Sequence, residues 1–162
     1  MVLILRNLFN YKKAAFSGIG FIAAIFIFGI ALFITMEYYH IFTVKESVET
    51  DISRALNISV TMAVQDMDWV QHNSVMDTEK AQREFKTYLT EDMKLNNDYE
   101  KYADDGSFQY QIIIDKSDIQ KSPAKYSIYG RIRMQPVTVR SILPKTFDIP
   151  FKLSSNNIRT DD

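Results

Sequence analysis

Between Ala14 and Thr35 the chain carries 22 consecutive residues without a charge, AAFSGIGFIAAIFIFGIALFIT. As a helix this run rises roughly 33 Å at about 1.5 Å per residue, slightly more than the roughly 30 Å of a bilayer's hydrocarbon core. In lipid a backbone must satisfy its own hydrogen bonds, and a single open segment does so only as a helix. In a soluble protein the same helix, apolar on every side, would need enclosing all round, and the rest of a 162-residue chain is too small to enclose it. The run is therefore read as a transmembrane helix over residues 14–35.

Basic residues precede the run (Arg6, Lys12, Lys13), as they would in a secretory signal. The apolar stretch is longer than a signal core of about 7–15 residues. It is followed by Met36-Glu-Tyr-Tyr-His40, which offers no small-x-small cleavage site. An uncleaved single-pass anchor is expected. The basic residues before the span outnumber Lys45 after it, so the positive-inside rule puts residues 1–13 in the cytoplasm and residues 36–162 outside the cell membrane. Tyr38 and Tyr39 then fall where an interfacial aromatic belt would hold the outer end.

Beyond the span, no Gly or Pro occurs from Ile30 to Asp105, whereas all four Pro lie between Gly106 and Pro150. This shift divides the external part into a helical half and a β half. Ile41, Val44, Val48, Ile52, Ala55, Leu56, Ser59, Met62, Ala63, Met67 and Val70 recur in steps of three and four, with Glu46, Glu49, Arg54, Asn57 and Asp68 opposite them. With no breaker before the stripe, one helix from about Ala14 to Gln71 is predicted. A packing stripe is assigned to Val48, Ile52, Ala55, Leu56, Ser59, Met62, Ala63 and Met67. The segment His72 to Val75 is read as a short connection that folds the chain back into a second helix. Asp77 is its expected N-cap and Glu79 complements the helix dipole. Ala81, Phe85, Tyr88, Leu89 and Met93 form its apolar stripe, and Asn96-Asn97 end it.

From Phe108 the period becomes two. Phe108, Tyr110, Ile112 and Ile114 alternate with polar residues, as do Tyr126, Ile128, Ile132 and Met134 with Gly130 on their side. Further runs are Val137 to Ile142 and Phe147 to Leu153, where Pro150 marks an edge strand. One wet and one dry face favour an antiparallel sheet, and the amphipathic helices supply its cover. The predicted class is α+β: a transmembrane helix continuing as a long amphipathic helix, a second helix, and a small antiparallel sheet of three or four strands.

The chain has no cysteine, which excludes disulfides and thiolate chemistry, and no cofactor is implied. Net charge is −1 with scattered basic residues, a balance that gives no footprint for nucleic acid. His40 and His72 lie far apart in sequence and are read as surface residues. Asp66 and Asp68 point to different helix faces. Glu100, Asp104 and Asp105 before Gly106 offer oxygen ligands but lack the spaced ladder of a calcium loop, so an acidic turn is expected. Arg131, Arg133 and Arg140 are read as a solvated strand face, and Trp69 as core. No catalytic or metal-ligating constellation emerges, and the chain is read as a non-enzyme. Within the span, Ser17, Gly18, Gly20 and Gly29 form a weak candidate face for membrane-helix association, because small residues permit close backbone approach.

Lys12-Lys-Ala-Ala-Phe-Ser-Gly18 before the apolar run, Met36-Glu-Tyr-Tyr-His40 after it, VETDISRALNISVTM over Val48 to Met62 and the closing VTVRSILPKTFDIPFKL over Val137 to Leu153 together resemble the pilin-like class. Within it, the likeness is to TadE-like minor pilins or pseudopilins of tight-adherence pilus systems. Prepilins usually carry a glutamate five residues after the processing glycine; here that position is Ala23 counted from Gly18, or Ile25 counted from Gly20. The resemblance therefore implies an uncleaved assembly component rather than a major filament subunit. Its implied partners are the lipid bilayer and other membrane, pilus or secretion proteins, including a second copy of itself. An alternative class stays open: a bitopic accessory or sensor subunit whose external domain binds a ligand or partner protein.

Overall fold

The computed structural model describes the backbone of residues 2–64, 75–136 and 146–155, and within these stretches the side chains from residue 18 onward. It divides into two compact units, Met1–His40 and Ile41–Asp162. The first helix, α1 (Val2–Ala63), contributes to both. Then come α2 (Thr78–Thr87), a π-helical turn (Tyr88–Asp92), and strands β1 (Glu100–Tyr102), β2 (Phe108–Gln120), β3 (Lys125–Met134) and β4 (Phe147–Ser154). The protein is α+β, with a four-stranded antiparallel sheet in the order β1-β2-β3-β4.

In the first unit, the described residues are helical and their large apolar side chains face outward all round, from Ile19 and Phe21 to Phe33 and Met36. Thr35 donates its hydroxyl to the Ala31 carbonyl at 2.8 Å, so this polar group is satisfied within its own helix. Among the described residues, one helix is long and apolar enough to cross a membrane.

In the second unit, the last turns of α1 lay Val48, Ile52, Ala55, Leu56, Val60 and Ala63 into a core shared with Phe85, Leu89, Ile112, Ile128 and Ile132. Ser59 is fully buried among them, and its hydroxyl donates to the Leu56 carbonyl at 2.9 Å, which removes the cost of an unpaired polar group. The helix is shorter here than its periodicity predicts, ending at Ala63 rather than Gln71. The physical reason lies in the returning chain: the Asp77 N–H donates to the Ala63 carbonyl at 3.0 Å, and Val64 bridges Met76 in antiparallel fashion. These backbone bonds take the groups that a continuing helix would have used. Met67, Val70, Asp66, Asp68, Trp69 and His72 lie outside the described residues, as does the run Val137 to Ile142.

The second helix begins where its cap residue dictates. Asp77 is extended, and its Oδ1 accepts from the N–H groups of Glu79 and Lys80, both at 3.0 Å. Those two bonds and the nearby Arg83 hold its carboxyl below the usual carboxylate range, the Lys80 N–H foremost. Ala81, Phe85, Leu89 and Met93 are buried on one side. Lys94, at φ 55°, turns the chain into the left-handed region and ends the helical path, and the Leu95 N–H reaches back to the Leu89 carbonyl at 3.1 Å. Asn96 then organises the entry to β1, its side-chain oxygen accepting from the Asp98 and Glu100 N–H groups at 2.9 Å each.

The sheet buries Tyr110, Ile112, Tyr126, Ile128, Ile132, Met134 and Phe151 on one face. Phe85 meets Tyr126 edge to face with centroids 5.2 Å apart. Gly130 sits opposite Ile114 on β2 and Phe151 on β4. A Cβ there would overlap the Ile113 carbonyl oxygen and stand 2.9 Å from Phe151 Cζ, so the absent side chain is what admits the phenyl ring. Next to this point the β2–β3 register shifts between Ile114 and Lys116, leaving Asp115 as an extra residue.

Candidate functional site

Three surfaces named by the sequence can be placed. The first is the small-residue set of the span. At 100° per residue Gly18 and Gly29 fall on one side of α1, and Gly20 falls on nearly the opposite side, so the helix does not gather them onto one face. A Cβ built on Gly18, Gly20 or Gly29 meets no atom within 4 Å. Nothing among the described residues lies against them, which leaves the Gly18/Gly29 side open to another helix. The side chain of Ser17 lies outside the described residues.

The second surface is the stripe on α1. Val48, Ile52, Ala55, Leu56, Ser59 and Ala63 are buried within their own domain. Met62 is not part of that face: it is 52% exposed, while Val60, absent from the expected stripe, is fully buried. The buried arc is thus turned toward Val60 and away from Met62. Val60 follows Leu56 by four and precedes Ala63 by three, so the same spacing includes it, and an arc drawn through Met62 lies a few tens of degrees off. Met67 lies outside the described residues.

The third is the outer face of the sheet. Arg131 and Arg133 project from β3, as alternation requires, but they are not an unneutralised basic patch. Arg131 grips Asp115 with Nε and Nη2 at 3.1 and 2.9 Å, and its Nη1 stands 3.5 Å from Asp148. Arg133 grips Asp148 with Nε and Nη2 at 2.8 and 2.9 Å. The result is a ladder across three strands, Asp115–Arg131–Asp148–Arg133, with two charges of each sign. Hydrogen bonding from Arg133, then its charge and that of Arg131, hold the Asp148 carboxyl below its ordinary range. Both guanidinium groups are pushed up by their aspartate partners. Beside the ladder, the ring of Tyr129 lies between Lys116 and Lys152, whose Nζ atoms are 6.0 and 5.2 Å from its centroid. Arg140 lies outside the described residues. Sequence reasoning found the two arginines but not their partners, because the pairing depends on register and on the bulge that turns Asp115 toward Arg131.

The acidic segment around Gly106 is a hairpin turn. Gly106 has φ +79°, the Gly106 N–H donates to the Ala103 carbonyl at 2.9 Å, and Asp105 Oδ1 accepts the Ser107 N–H at 2.9 Å. The bonds from Ser107 lower the Asp105 pKa. Glu100 points elsewhere, its Oε2 accepting from Asn96 and from the Tyr102 hydroxyl. Among the described residues no group of three His, Asp or Glu converges in a way that could hold a metal ion. His40 is exposed.

No protein-family model, no curated protein and no solved structure matches the chain.

Proposed function

We propose that this chain is a membrane-anchored structural or assembly component, of the kind represented by TadE-like minor pilins and pseudopilins, acting by noncovalent packing in an envelope pilus or secretion apparatus. One observation carries the reading. From Gly18 to Ile34 the first unit leaves a long apolar helix surface outward, with glycines open on it, while the second unit buries most of its amphipathic stripe in its own core. Apolar surface on that scale is stable only against lipid or other apolar helices. In this reading the span lies in the cell membrane with Arg6, Lys12 and Lys13 on the cytoplasmic side, and the α+β domain outside meets partner proteins through its exposed surfaces.

The test is extraction of the tagged full-length protein in a mild detergent, followed by mass spectrometry of what stays bound through a stringent wash. Pilus or secretion-assembly proteins are expected in stoichiometric amounts. Recovery of a single transporter or kinase instead would replace this role with that of an accessory or sensor subunit.

A further inference from the structure

The outer face of the sheet arranges its side chains in rows that cross the strands. One row sets Gln111, Arg133 and Asp148 side by side, the next Ile113, Arg131 and Pro150, and the third Lys116, Tyr129 and Lys152. The charges of the first two rows are closed by the aspartate–arginine ladder, whose bidentate pairs take up both guanidinium groups. The third row has no such closure. Among the described residues neither Lys116 nor Lys152 forms an ion pair, and Asp118, two positions on along the same face, pairs with neither. Both lysines are exposed. The face therefore keeps two ammonium groups without a carboxylate, carried on β2 and β4, which flank β3 and stand about 10 Å apart.

Tyr129 governs how these groups are presented. Its ring lies between them, with Nζ of Lys152 5.2 Å and Nζ of Lys116 6.0 Å from the centroid. The ring quadrupole attracts each cation but supplies no lone pair, so the ammonium donors remain free to meet an oxygen. A ring attended by a cation on either side gives a sugar or a base no clear face to stack on. What the row offers is positive charge and N–H donors. Asp115, Lys116, Asp118, Pro150 and Lys152 are all exposed, so the row stands on an open strand face. A small ligand needs a concave site that buries most of it; a flat row suits a chain laid across it. Ile113 and Pro150, in the adjoining row, add apolar footing beside the charges.

We infer that the Lys116–Tyr129–Lys152 row is a docking site for an extended acidic segment of a partner protein. Carboxylates of that segment meet the two ammonium groups, and the methylene stems of its glutamates lie on Ile113 and Pro150. In an extended segment alternate residues share a face about 7 Å apart, and the flexible lysine stems take up the difference from the strand separation. Such a site serves the assembly role proposed above and an accessory role alike, so it stands apart from that reading.

The test uses the full-length protein in nonionic detergent micelles and a fluorescein-labelled peptide of alternating glutamate and alanine, with binding followed by fluorescence anisotropy. Binding is expected to weaken as salt rises from 0.1 to 1 M, over which the screening length falls from about 10 to 3 Å. Lys116→Gln and Lys152→Gln should each weaken it about two- to five-fold, the range of an exposed ion pair, and the double variant should weaken it further. Tyr129→Leu, which removes the ring between the lysines, should weaken it more than Tyr129→Phe. Lys80→Gln, at an exposed lysine on α2, should leave it unchanged. Near-ultraviolet circular dichroism of each variant checks that the fold is kept. Failure of the peptide to bind, an undiminished affinity in the double variant, or an equal loss with Lys80→Gln would each overturn the site. Tighter binding of a uronic-acid oligomer through the same two lysines would overturn the peptide as its occupant.

Discussion

Gly130→Ala is the sharpest perturbation of the sheet, because one added carbon meets two neighbours of different stiffness. The new Cβ would overlap the carbonyl oxygen of Ile113 and lie 2.9 and 3.1 Å from Cζ and Cε1 of Phe151. The ring can tilt away; the carbonyl belongs to the adjoining strand and can move only if the β2–β3 ladder moves. Replacing glycine by alanine restricts the unfolded chain and by itself stabilises by about 0.4–1 kcal/mol. Overpacking a fitted site costs about 1–3 kcal/mol, and a backbone neighbour puts this site toward the upper end. The clash wins, and a net loss of roughly 1–2 kcal/mol is expected. Urea titration of the full-length protein in detergent, followed by the near-ultraviolet circular dichroism of its tyrosines, should show a lower midpoint with an unchanged slope. Repeating the substitution in a Phe151→Leu background separates the neighbours. If the carbonyl dominates, most of the cost persists there. A neutral or stabilising Gly130→Ala would refute the reasoning, and a cost that vanishes with Phe151→Leu would move its cause to the ring.

Tyr110 gives a pH dependence. Burial, and secondarily the Asp51 carboxylate, push its hydroxyl up to about 12 from an ordinary 10.0. The folded state therefore holds this proton more tightly than the unfolded chain. Its contribution is fully present below pH 10 and is lost as pH rises toward 12, on the order of 2–3 kcal/mol at about 1.4 kcal/mol per unit. Urea midpoints measured from pH 9 to 12 should fall steeply, and Tyr110→Phe should flatten that fall while changing little at pH 8; a parallel fall in the variant would rule Tyr110 out as the source. On α1, Leu56→Ala should cost about 2–5 kcal/mol by opening a cavity, whereas Met62→Gln should stay within about 0.5 kcal/mol. The same titration checks both, and equal losses would mean that the buried arc has been misplaced.

Much of the fold was legible because each element announces its period. The uncharged run could be little else than an apolar helix, Asp77 could be read as a cap from its place before a helical pattern, and Pro150 foretold an edge strand, which β4 is. What escaped was set by contacts distant in sequence. The end of α1 is fixed at Ala63 by the Asp77 N–H, although apolar spacing continues to Val70. The alternation of Phe108, Tyr110, Ile112 and Ile114 does not reach Ile119, which is out of phase with it. The extra residue Asp115 shifts the phase by one, so that Ile119 returns to the dry face opposite Tyr126 and the strand runs on to Gln120. β1, at three residues, is too short to show any period. The same bulge explains why the ion-pair ladder was invisible: Asp115 is in phase with the polar positions of β3 only after the register is known.

These details narrow where a partner can act. The α1 stripe expected from Val48 to Met67 could pack on the sheet or on partner helices; the burial of Val48, Ile52, Ala55, Leu56, Ser59 and Ala63 in the domain's own core removes these residues from the second role. Arg131 and Arg133 of β3, expected on a solvated strand face, are engaged there by Asp115 and Asp148, which leaves them neutralised. A ligand drawn to those arginines would first have to displace an aspartate that already meets two nitrogens of each guanidinium. The exposed ladder then works chiefly as a cross-strand clamp on β2, β3 and β4. Among the described residues, the Gly18/Gly29 side of the apolar helix is the surface that stays open to close packing, and what it offers is close approach and dispersion.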